Sequence, residues 1–183
     1  SLAFGFGATS TIYDVAWHPD GKHIAFGGDA GAENNRIQIS TLEIDQYSLD
    51  GYAALTCTNG TYADCETRYG VAWSPDGTKL AAVGGTGFGG AEVMAFDFYP
   101  TTSVLHHIGL CDFTHGGTVA SATWSPDSQY LSISGYTGSA GAHSRTLKFK
   151  DRAFDEVEFA AIKNDDGIPV RYGDAITFKH KAT

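Results

Sequence analysis

One stretch of this chain occurs three times, and that repetition limits the fold more than any other feature. Tyr69 to Gly85 reads YGVAWSPDGTKLAAVGG, Tyr13 to Gly28 reads YDVAWHPDGKHIAFGG, and Val119 to Gly135 reads VASATWSPDSQYLSISG. Each copy runs as a strand to a Trp, turns at Pro-Asp, and returns as an apolar strand closing on Gly. Val15 and Trp17 fall two apart and so share one strand face. His18-Pro19-Asp20-Gly21 matches a type I turn followed by a residue of positive φ, as does Ser74-Pro75-Asp76-Gly77. In the third copy Ser128 stands where that Gly would be. Trp17 and Trp73 are 56 residues apart and Trp73 and Trp124 are 51 apart, spacings that signal a propeller or solenoid of repeated units.

The segments between the copies supply further strands. Arg36 to Ile44, RIQISTLEI, alternates strictly, and Tyr52 to Cys57 follows as a fourth strand of the first unit. Glu92 to Phe98 and Ser103 to Leu110 repeat the order in the second unit, and Arg145 to Lys150 serves the third. Leu2 to Phe6 reads as a short leading strand. No stretch carries a helical apolar period of useful length. The expected fold is therefore all-β: three four-stranded repeats over 1–152 and a short β tail over 153–183, with the segment from Arg145 to Ile162 still serving the third repeat.

Charge divides the chain near the same place. The net charge is −9. Four bases meet fourteen acids up to Ser144, and eight bases meet seven acids from Arg145 onward. Such an acidic body disfavours nucleic acid, which is held mainly by phosphate contacts from Lys and Arg, and it disfavours anionic membrane surfaces. No apolar run is long enough for a membrane helix, and the opening residues do not read as a targeting segment, so the sequence leaves the compartment open between cytoplasmic and secreted or periplasmic. Cys57 and Cys65 are close enough in sequence for a local disulfide and Cys111 occupies a comparable place before the next repeat, but spacing alone decides no pairing. Asn59-Gly60-Thr61 fits a glycosylation acceptor, a triplet common by chance.

With these residues in hand, the units resemble blades of the WD40 and PD40 (TolB-type) β-propellers, whose shared core is a V-x-W-S-P-D-G turn followed by an apolar strand. His115, Val119, Ala122 and Trp124 match the WD40 spacing, and Phe96-Asp97 stands where that family places Trp-Asp. Ala8 and Asp64 replace the family histidine in the first two units, which departs from its buried polar network. Gly167 to Thr183, GIPVRYGDAITFKHKAT, is similar to the opening of MIR-type β-trefoil domains. A whole trefoil needs about a hundred further residues, so the tail is expected to belong to a truncated trefoil. The first resemblance implies a propeller, which closes with about 4 to 8 blades. Three blades are then part of a larger or oligomeric ring, their edges covered by another copy, a partner, or further sequence of the parent protein.

Chemistry is sparse. Gly85 to Gly90 fits G-x-G-x-x-G, but a strand rather than a helix follows, so the loop lacks the helix N-terminus that holds a pyrophosphate. The seven histidines show no zinc spacing: His106 and His107 are adjacent and point to opposite faces, and His18 and His23 flank a turn. Ser74 and Ser125 precede Pro in turns, where capping explains them, and no G-x-S-x-G nucleophile elbow exists. No catalytic residue, metal site or cofactor is expected. The three Gly-rich insertions, Gly27 to Asn35, Gly84 to Ala91 and Gly135 to Ser144, occupy the same place in each unit and are expected to gather on one face. They would present Asp29, Asn34, Asn35, Phe88, Glu92, Tyr136 and His143 to a ligand. The function expected is a non-catalytic scaffold that binds a protein partner or another copy of itself through that face and its open strand edges. A glycan is the alternative ligand, suggested by the trefoil-like tail and the aromatic and amide loop content; an accessory propeller of a larger secreted enzyme is a third reading.

Overall fold

A computed structural model describes residues 11–29, 35–43, 48–56, 68–85, 92–102, 104–111, 118–136, 144–150 and 153–156. Among them are twelve strands and no helix: β1 Thr11–Trp17, β2 His23–Asp29, β3 Asn35–Glu43, β4 Ser48–Thr56, β5 Arg68–Trp73, β6 Lys79–Gly84, β7 Val93–Tyr99, β8 Val104–Cys111, β9 Thr118–Trp124, β10 Tyr130–Tyr136, β11 Ser144–Lys150 and β12 Ala153–Glu156. They form three antiparallel four-stranded sheets, β1 to β4, β5 to β8 and β9 to β12, each with its strands in chain order. The third sheet thus reaches past residue 152, because β12 pairs with β11 from Leu147↔Glu156 to Lys150↔Ala153. The trefoil resemblance concerns residues outside those described.

The three turns close as their sequences require. Gly21 and Gly77 take φ of 71°, and Ser128 takes 59° at the same position. That left-handed value costs Gly little and Ser more. Each turn is locked by a backbone bond from this residue to the one after the Trp: Gly21 N to His18 O, Gly77 N to Ser74 O, and Ser128 N to Ser125 O, at 2.8–3.0 Å. The turns fix a common register, with Trp17 opposite Ile24, Trp73 opposite Leu80 and Trp124 opposite Leu131. Each first strand also carries an extra residue four positions before its Trp, where pairing skips Tyr13, Tyr69 and Ala120. A bulge at one place in every unit bends each inner strand alike, an irregularity the repeat copies identically.

The sheets stack face to face. Val71, Trp73, Leu80, Ala82, Met94 and Phe96 of the second sheet pack on Ala25, Ile37 and Ile39 of the first. Its opposite face, Ala72, Ala81, Val83 and Val93, packs on Val119, Trp124, Leu131, Ile133 and Leu147 of the third. Leu80, Ala81, Ala82 and Val83 are consecutive and wholly buried, as a strand must be when sheets lie on both of its sides. The indole of Trp73 donates to Ala16 O at 3.1 Å, and one repeat later Trp124 donates to Ala72 O at 3.1 Å. Each Trp thus ties its sheet to the carbonyl just before the Trp of the preceding sheet. The inner strands come close enough that a Cβ on Gly70 of β5 would lie 3.0 Å from Ala120 O of β9. Sheets stacked by their faces with first strands side by side are the blades of a β-propeller.

Two expectations need correction. The repeat implies one environment for its three tryptophans, yet Trp73 and Trp124 are 8% and 4% exposed while Trp17 is 55% exposed. The indole needs a neighbouring sheet on its own face, and the first sheet stacks on the second with the other face. The insertions are also shorter than their Gly content suggested. Strand β2 continues through Gly27, Gly28 and Asp29, β3 begins at Asn35, β6 includes Gly84, and β10 runs to Tyr136. Pairing across the sheet outweighs the low strand preference of Gly.

Candidate functional site

Of the seven residues expected to line a binding face, Asn34, Phe88 and His143 lie outside the described residues. Asp29 ends β2 opposite Thr11, Asn35 opens β3, and Tyr136 ends β10 opposite Thr118. Glu92 contradicts the expectation: it is buried at 1% exposure, with Gly84 N donating to its carbonyl at 2.9 Å. That backbone bond ties Glu92 to the end of β6, and its burial takes the side chain off the exposed loop face. Asp29, Asn35 and Tyr136 mark strand ends beside the connections between second and third strands, Asp29 and Tyr136 at equivalent positions of their units.

A different surface is more distinctive. Along β1 the side chains of Tyr13, Val15 and Trp17 are each about half exposed, as is Ile12 beside them. The corresponding Val71 and Trp73 of β5 are buried against the first sheet, and Trp124 of β9 against the second. Val15 and Trp17 therefore have the composition of a blade-to-blade contact without one, while the Tyr13 ring beside them meets Tyr69 of β5 at 5.1 Å. The far face of the third sheet is not its complement. Where the first two sheets present Ala16, Ala25 and Ile39, or Ala72, Ala81 and Ala95, the third presents Thr123, Ser132 and Thr146 in register. Ser132 and Thr146 hydroxyls bond each other at 2.7 Å. That hydroxyl-bearing face is itself covered, with Ser132 0% and Ser134 2% exposed, whereas Val15 and Trp17 on β1 are open.

The second distinctive place is the first turn. In its sister turns, Ser74 Oγ donates to Asp76 Oδ1 at 2.6 Å and accepts from Lys79 N at 2.9 Å, and Ser125 makes the same pair of bonds with Asp127 and Tyr130 N. In the first turn His18 replaces the Ser and His23 replaces Lys79 or Tyr130. Asp20 Oδ1 accepts from Lys22 N at 2.8 Å and His23 N at 3.1 Å and lies 2.9 Å from His18 Nδ1, while Oδ2 lies 2.7 Å from His23 Nδ1. Burial pushes the Asp20 carboxyl upward, but the hydrogen bonds from Lys22, the two imidazoles and His23 N outweigh it and hold the group far below its ordinary 3.8. Asp76 shows the same balance, burial opposed by bonds from Ser74 and Thr78 and by Lys79, with a lowered net result. Both imidazoles are buried. His18 stands edge-on to Trp73 at 4.7 Å, and both imidazoles meet the ring of Phe98 at 5.1 Å. On its far side His18 Nε2 reaches Gly77 O of the second turn at 2.8 Å.

Sequence reasoning missed the first place and set the second aside, noting that His18 and His23 flank a turn but finding no zinc spacing. Aligning the repeats would have exposed the second, since His stands at two positions where its sisters have Ser and Lys or Tyr. The first carried no such signal, because Trp17 is locally indistinguishable from Trp73.

Comparison with known proteins agrees with this fold. Residues 2–38 match the WD40 family model, WD domain, G-beta repeat. Among solved structures, a candidate 6-phosphogluconolactonase from Bacteroides uniformis superposes with a TM-score of 0.59 at 19% identity, over 91% of this chain and 49% of that one. Another from Bacteroides fragilis gives 0.58 at 15%, over 93% and 41%. A protein from Lactobacillus plantarum gives 0.60 at 15%, over 81% and 41%. The fold is a β-propeller fold, and this chain spans less than half the length of each of these three structures. No curated protein matches it in sequence.

Proposed function

We propose that this chain is a non-catalytic propeller scaffold, acting through protein–protein contact or self-assembly at the outer face of its first blade. The supporting observation is the exposed pair Val15 and Trp17 beside Tyr13 and Ile12, where the counterparts Val71 and Trp73 in the next blade are buried. Exposed apolar patches of this kind mark interaction sites. The corresponding face of the third sheet is closed off, with Ser132 wholly buried, so it offers a head-to-tail copy no apolar complement for the strip. A two-fold pairing of strip with strip, or a partner with its own apolar face, suits it better.

Sedimentation of the full chain across a concentration series tests this. The expected result is association into a dimer that stops there, lost in Trp17→Ser. A monomer at every concentration, together with failure of Trp17→Ser to change binding to any protein the wild type retains, would defeat the reading. The lactonase names of two structural neighbours recommend one control, hydrolysis of 6-phosphogluconolactone by the same preparation. Turnover there would contradict a non-catalytic role.

A further inference from the structure

We propose that His18, Asp20 and His23 form a three-ligand site for a divalent cation of the zinc class, at the seam between the first and second blades. The argument begins with the hydrogen on His18. Gly77 O can only accept, so the nitrogen 2.8 Å from it, Nε2, carries the ring proton. In the neutral imidazole Nδ1 is then a lone pair, suited to the Asp20 N–H at 3.1 Å. Yet the same Nδ1 lies 2.9 Å from the carboxylate oxygen Oδ1 of Asp20. A lone pair that close to a carboxylate oxygen calls for a proton or a metal cation between them, and a cation on Nδ1 would take the place of the long 3.1 Å contact from Asp20 N. A cation held by both satisfies the arrangement.

The third ligand is already in place. His23 Nδ1 sits 2.7 Å from the other carboxylate oxygen, and the donor atoms of all three side chains lie within 4.8 Å of one another. A tetrahedral ion with bonds of ~2.1 Å separates its ligand atoms by roughly 3.4 Å, which these side chains reach by small rotations. On ligation His23 Nδ1 acts as the lone pair and its proton moves to Nε2. The set of two imidazoles and a carboxylate suits zinc, cobalt or nickel and not magnesium, which prefers oxygen ligands. Metal-binding histidines usually donate their second N–H to a carbonyl or carboxylate, and His18 does so to Gly77 O. Asp20 is solvent-facing while both imidazoles are buried, so the fourth position opens to water. Ser and Lys or Ser and Tyr occupy the histidine positions in the sister turns, where the fold is made without ligand-type residues. The turn itself therefore does not require the two histidines, although His18 also packs in the seam against Trp73 and Phe98.

That comparison supplies the test. The full chain, stripped with a chelator, is titrated with Zn²⁺ by calorimetry and with Co²⁺ by visible absorption. One equivalent per chain with Kd at or below about 10 μM, tetrahedral Co²⁺ bands, and a rise in Tm with Zn²⁺ are expected. His18→Ser and His23→Lys install the sister residues and so should fold, which far-ultraviolet dichroism checks. Each should weaken Zn²⁺ binding at least about tenfold, and the double variant should abolish it. Absence of saturable Zn²⁺ binding in the wild type up to about 1 mM overturns the proposal, as does binding unchanged in the folded double variant. Equal affinity for Mg²⁺ overturns the assignment to the zinc class.

Discussion

Trp17 and Trp73 occupy the same place in their repeats and live in opposite environments. Both follow a bulge four residues back, both precede a Pro-Asp-Gly turn with the same left-handed glycine, and both face an aliphatic residue on the returning strand. One is more than half exposed and the other almost wholly buried. Nothing within the sheet distinguishes them. The difference is whether another sheet stands on the Trp side, so the stabilising value of a repeat residue belongs to the interface between units rather than to the unit.

The sharpest way to break this comparison is to truncate both indoles. Trp73→Ala should lose about 3 to 5 kcal/mol in urea denaturation, since it empties the seam beside Phe98 and His18 and frees Ala16 O. Trp17→Ala should change the monomer by no more than about 0.5 kcal/mol; equal losses would mean that the first indole is covered in solution. Next in size is Gly70→Ala, which drives a Cβ to 2.9 Å from Val83 Cγ2 and 3.0 Å from Ala120 O, at a cost of about 1 to 3 kcal/mol. Gly21→Ala meets nothing within 4 Å and should cost only the strain of its positive φ, about 1 kcal/mol, so thermal denaturation should rank the two in that order. Trp124→Phe keeps a ring but deletes the N–H to Ala72 O, a bond worth about 0.5 to 1.5 kcal/mol.

The smallest effect concerns pH and the second turn. Asp76 has a folded pKa below its ordinary 3.8, so its contribution is present above that value and fades as pH falls through the lower, folded one. Asp76→Asn should therefore be less stable than wild type at pH 6, by less than about 1 kcal/mol, and the gap should close as the pH falls below 3.8. A gap that stays constant down to acid denaturation would mean that the carboxylate charge contributes nothing to the turn.

The strands and turns were legible because their causes are local. Alternation, a Pro with fixed φ and a Gly free to turn left-handed act within a few residues, and even Ser128 adopts the geometry its position demanded. The ends of the Gly-rich segments were not legible, since Gly27, Gly84 and Gly135 are held in strands by partners tens of residues away or by the close passage of another strand. At Gly135 a Cβ would collide with Thr118 O, a constraint visible only once β9 lies beside β10. Glu92 was misplaced for the same reason: its type suggests surface, and its pairing buries it.

The chain by itself determined three copies of a hairpin, their register and an all-β architecture, because those follow from residue periods and backbone preferences within each copy. The tertiary structure alone decided which indoles became interior, which face of the stack was left apolar and which hydroxyl-bearing, and that two turn histidines converge on one carboxylate. Burial and convergence depend on which surfaces meet across the sheets, and that choice is made by packing the whole rather than by any segment.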